Sequence, residues 1–107
     1  MGIKLANNAV SIVPLEITDV QTSIDVYTGT GALFPTLGVG DYFYATLSSV
    51  ANAYEVIKVT ARSTDTLTIV RAQEGTTALS FPAGSRIELR VTALNITELL
   101  DQDFLLL

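Results

Sequence analysis

The sequence predicts an all-β fold: a compact antiparallel β-sandwich or barrel of about six or seven strands, with a short C-terminal helix or arm. Three observations carry this. Apolar residues alternate with polar ones at a period of two in short segments between Ser23 and Thr92. Stretches rich in Gly, Pro, Asn and Ser separate those segments. Fourteen of the 107 residues are Thr, a β-branched residue with a polar end that suits the exposed face of a strand. The length allows one domain, divided here into a β-domain over 1–93 and a helix or docking arm over 94–107.

Taken in order, residues 6–18 read as a weak strand or an extended arm after a turn at Asn7 and Asn8. Ser23 to Tyr27 is a strand with Ile24 and Val26 on one face. "TGTGALFPTLGVG" holds four Gly and a Pro and must be a turn-rich loop. Asp41 to Ser48 puts Phe43, Ala45 and Leu47 on one side and Tyr42, Tyr44 and Thr46 on the other. "SVANA" is a hairpin loop. Tyr54 to Ala61 and Thr66 to Arg71 are strands joined by the tight turn "RSTD". In the strand Arg86 to Thr92, Ile87, Leu89 and Val91 face in. Arg86, Glu88 and Arg90 face out, where an acid between two bases suits a solvated face.

The tail changes period. Asn95 with Glu98 three residues on reads as a capping box opening a helix from about Ile96 to Leu105. Ile96, Leu99, Leu100, Asp103, Phe104 and Leu107 share one helical face. The run Phe104-Leu105-Leu106-Leu107 calls for burial, on its own domain or on a neighbour. Tyr42 and Tyr44, if their face is open, join Leu99, Leu100, Phe104, Leu105, Leu106 and Leu107 as candidate interface residues.

Two segments echo each other. "IDVYTGTGALFPTLGVGDYF" (24–43) and "LTIVRAQEGTTALSFPAGSRI" (67–87) each run from a strand through a Gly, Ala-Leu and Phe-Pro to a second Gly and a new strand. Gly29, Gly31 and Gly75 permit positive φ after the outgoing strand. Leu33 with Phe34, and Leu79 with Phe81, plug each loop into the core. The glycines match no phosphate-binding pattern and precede no helix.

The composition excludes several chemistries. There is no His, Cys or Trp, which removes Ser–His and Cys–His nucleophiles, thiolate and imidazole metal sites, and disulfides. Glu55, Glu74 and Glu88 fall on strand faces or a loop, and nothing marks two carboxylates as a hydrolytic pair. Asp101 and Asp103 are too few oxygens for Ca²⁺. A net charge of −5 with six scattered Lys and Arg argues against nucleic acid. No segment has the length of a membrane span or the pattern of a signal peptide. The expectation is no catalysis, no cofactor, no metal, no small-molecule substrate and no membrane.

"TLTIVRAQEGTTALSFPAGSRIELRVTA", with "LANNAVS", "GTGALFP", "GDYFYATL" and "YEVIKVTAR" in that order, resembles small tail-associated structural proteins and tail-fibre modules of tailed bacteriophages. The likeness spans roughly residues 4–93 and leaves out "NITELLDQDFLLL". That family usually carries Gly after the strand-ending Arg. Ala72 stands there, implying a backbone that does without positive φ at this position. The resemblance implies a structural virion protein, made in the bacterial host cytoplasm. It would act as a tail or tail-fibre adaptor that binds other virion proteins and forms a homo-oligomer. Capsid decoration (cement) and receptor or glycan binding through the tyrosines are the alternatives.

Overall fold

The period-two segments build one seven-stranded sheet. The computed structural model describes the backbone of residues 2–104 and the side chains of 2–101. Its strands are β1 (Gly2–Ile3), β2 (Val10–Ile12), β3 (Ser23–Asp25), β4 (Asp41–Ser48), β5 (Tyr54–Ser63), β6 (Thr66–Gln73) and β7 (Arg86–Glu88), followed by helix α1 (Ala93–Phe104). The sheet order is β2-β7-β4-β5-β6-β3, antiparallel throughout, with β1 added in parallel to the start of β4. The sheet curls until its two edges meet: Tyr27 N–H donates to the Ile12 carbonyl at 2.9 Å. That is a half-barrel, the all-β class the alternation predicts, with a helix at the C-terminal side.

The concave face is the core. Phe43, Ala45 and Leu47 of β4 are buried, with Ile57 and Val59 of β5, Leu67 and Ile69 of β6 and Ile87 of β7. Phe34 and Phe81 enter from the two long loops, and Phe34 stacks on Phe43 with ring centroids 5.7 Å apart. Each such side chain contributes roughly 1.5–3 kcal/mol of burial. The expected loop plugs hold for both Phe residues. They hold in part for the leucines, since Leu79 packs against the core while Leu33 is half exposed. The glycine at position 31 has a different cause from the one expected. Gly31 lies outside the left-handed region, and its need is for space: a Cβ there would sit 1.9 Å from the Thr64 carbonyl oxygen.

One buried ion pair lies in this core. Glu55 and Arg71 share the parity of Ile57 and of Ile69, so both point inward. The Glu55 carboxylate is fully buried and accepts Arg71 Nε and Nη2 at 2.8 Å each, and the Ala72 and Leu79 amides at 2.9 Å each. Arg71 also donates to the carbonyls of Thr18, Gln21 and Leu79. Burial pushes the Glu55 carboxyl up. The Arg71 guanidinium and the Leu79 and Ala72 amides outweigh burial and hold it below the usual carboxylate range.

Several expectations are corrected. Ala72 does adopt positive φ, at 56°, and its amide bond to Glu55 keeps it there. Residues 6–18, read as a weak strand or an extended arm, contribute the three-residue β2 and an isolated bridge from Ile17 to Phe81. The last strand stops at Glu88, and Val91 faces solvent. The helix opens at Ala93, before Asn95. Thr92 takes the capping role, its hydroxyl accepting from the Asn95 amide at 3.4 Å and from Asn95 Nδ2 at 2.7 Å.

Candidate functional site: the tyrosine cradle and the outer face of α1

The convex side of β4 would be an open apolar surface without α1. Tyr42 and Tyr44 project from it two residues apart, in an edge-to-face pair with centroids 5.6 Å apart. Ile3 from β1 and Val56 from β5 complete a second small core. Leu94 and Leu99 of α1 pack against it. Glu98, one turn beyond Leu94, reaches down between the rings. It accepts the Tyr42 hydroxyl in a short hydrogen bond and the Tyr44 hydroxyl at 2.9 Å. Lys58 Nζ lies 4.4 Å from the Tyr42 ring centroid on β5.

The electrostatics follow from this packing. Burial first, then the Glu98 carboxylate, pushes the Tyr42 hydroxyl up to about 12, and the same two causes raise Tyr44 further. Neutral tyrosines donating to a carboxylate form a latch, and ionising either would set two negative charges against each other. The helix is tied at its start as well, because Thr92 donates to Glu74 at 2.7 Å.

The expected interface residues therefore separate. Tyr44 keeps 4% of its surface, and Tyr42 is half-buried under α1. Their face is covered by the chain's own helix, so it is not an open surface and presents no free ring for a sugar. Leu99 turns inward with Leu94. Leu100 does not join it: it is 50% exposed beside Ile96 at 51%, one turn apart on the outward side. The single apolar face expected of the helix is in fact two, one docked and one bare. The Phe104 side chain and Leu105, Leu106 and Leu107 lie outside the described residues.

Glu98 is the residue that sequence reasoning assigned to another task. The available signal was an acid one turn after an inward Leu, opposite two tyrosines of equal parity. A second feature lies where the sheet edges meet. Val10, Ser11, Ile12, Tyr27, Thr30 and Arg86 line a groove of about 430 Å³. Its polar floor is self-satisfied: Ser11 and Thr30 hydroxyls pair at 2.6 Å, and Thr30 donates to the Tyr27 carbonyl. Ile12 and Tyr27 are 44% and 56% exposed there.

Among the described residues no group of three or more acids, His or Cys could hold a metal, and no helix is long and apolar enough to cross a membrane. The chain matches no protein-family model and no curated protein.

Proposed function

We propose that this chain is a structural subunit of a tailed-bacteriophage virion, placed in the tail or a tail fibre, that joins neighbouring protein components by mutual burial of apolar surface. The observation that supports this is the bare Ile96–Leu100 stripe on a helix whose other side is already latched to the domain. A helix apolar on two sides is built to lie between two surfaces. The sequence resemblance supplies the setting, and the tyrosine–Glu98 latch supplies the rigidity a connector needs. Binding needs no cofactor or small molecule in this reading, and the partners are copies of the chain and other virion proteins.

The test is the composition of purified particles. Quantitative mass spectrometry should find the chain at a fixed copy number per virion, and antibody labelling in the electron microscope should place it on the tail. Labelling spread over the head instead would assign capsid decoration. A particle that lacks the chain altogether would remove the structural reading.

A further inference from the structure

We infer that the outer stripe of α1 seats in the β2–β3 groove of a second copy of this chain, making a head-to-tail contact. This rests on the self-assembling connector reading above and names the two surfaces that would carry it. The first surface is Ile96 and Leu100, one turn apart and about half exposed. The second surface is the groove between the meeting sheet edges, with Ile12 and Tyr27 as its apolar walls.

Charge selects this occupant. Helix α1 carries Glu98, Asp101 and Asp103 and no basic residue. Glu98 is engaged by the tyrosines, and Asp101 is exposed beside Leu100. The groove is bounded by Arg86, whose side chain is 56% exposed. Arg86 at the groove and Arg90 just beyond β7 both turn to Glu88, at 3.3 and 2.7 Å, so two guanidinium groups share one carboxylate and the segment 86–90 keeps a surplus positive charge. An acidic apolar helix and a basic apolar groove are complementary, whereas two helices would repel. Because stripe and groove are different patches, the contact is heterologous. Repeated, it closes into a ring or extends as a filament.

The test is a mixing experiment followed by sedimentation velocity. One variant, I96D with L100D, spoils the stripe. The other, I12D with Tyr27→Asp, spoils the groove. All four positions are exposed, so circular dichroism should report the wild-type fold. The wild-type chain should assemble, each variant alone should be monomeric, and the equimolar mixture should stop at a heterodimer with one intact contact. A groove variant that assembles like wild type would overturn the inference while leaving self-assembly standing. A mixture that stays monomeric, or a wild type that is monomeric up to millimolar concentration, also overturns it. The connector reading is then judged separately, by the virion composition. If the aspartate variants do not fold, charge reversal decides. R86E and D101R should each weaken assembly about tenfold, and the double variant should recover it. Unchanged assembly in both single variants refutes the contact.

Discussion

The loops that follow β3 and β6 share a sequence pattern and solve the same problem in different ways. Both leave a strand, pass a Gly at positive φ (Gly29 at 86°, Gly75 at 77°) and insert a Phe into the core. Both are then tied to a carboxylate that accepts two backbone amides. In the loop after β3 the carboxylate is Asp65, taking Gly29 N–H at 3.0 Å and Gly31 N–H at 2.9 Å at the protein surface. In the loop after β6 it is Glu55, in the core and paired with Arg71. Neither carboxylate belongs to the repeated pattern. Both come from the β5–β6 hairpin, one from its open end and one from its turn. The lesson is that the echo encodes the loop path, while an unrelated hairpin supplies the anchors.

The largest expected effect tests the buried anchor. Glu55→Gln leaves the Arg71 guanidinium buried without its counter-charge and should cost about 3–5 kcal/mol by chemical denaturation. A cost below about 1 kcal/mol would mean that the pair is not the anchor. Next is steric: Gly31→Ala must displace the Thr64 carbonyl and should cost about 1–3 kcal/mol. Gly29→Ala, with open space but positive φ, should cost only about 1 kcal/mol. Equal losses in the two would erase the distinction between space and backbone angle.

Acid should act on both loops with one sign. The Gly29 and Gly31 amides hold the Asp65 carboxyl below its ordinary value, as Arg71 and two amides do for Glu55. A lowered folded value adds stability that is present above the ordinary carboxylate range, about 4. That stability is lost as pH falls through the folded values. Asp65→Asn should flatten part of the acid limb of a melting-temperature profile, and Glu55→Gln a further part. The α1 latch should fail at the other extreme. Its tyrosines are raised, so their contribution is full below about pH 10 and fades as pH climbs through about 12 for Tyr42. Tyrosinate absorbance rising before helix loss in circular dichroism would sharpen the contrast. Simultaneous change would show one cooperative unit. The smallest effect is a gain. Ala72→Gly relieves the left-handed strain and should stabilise by roughly 0.5–1 kcal/mol.

How much of this was legible follows from range. β4, β5 and β6 were readable because alternation is a local property, and their starts at Asp41, Tyr54 and Thr66 match the predicted ones. The hairpin turn was readable from "RSTD". The ion pair was half legible: Glu55 and Arg71 each sit at a core-parity position, and an acid at that parity demands a buried base. Ala72 was misread because a long-range acceptor, Glu55, offsets the cost of its backbone angle. β1 was invisible, since two residues paired in parallel leave no periodic trace. The helix start was misplaced because Asn95 and Thr92 both have capping chemistry, and the contact between Thr92 and Glu74 decides between them. The inward face of α1 was set by tyrosines fifty residues away, which helical periodicity alone does not contain.

The parallel seat of β1 on β4 has a mechanical consequence. Lys4 N–H donates to the Tyr42 carbonyl, and Ile3 packs with Leu94 and Leu99, so the first strand and the last helix are moored to the same stretch of β4. Tension drawn between residues 2 and 104 is met at that mooring before it reaches the half-barrel. Under force the strand and the helix should slip first and lengthen the tether, while the ion-paired core stays intact. The domain would behave as a bead with an extensible leash.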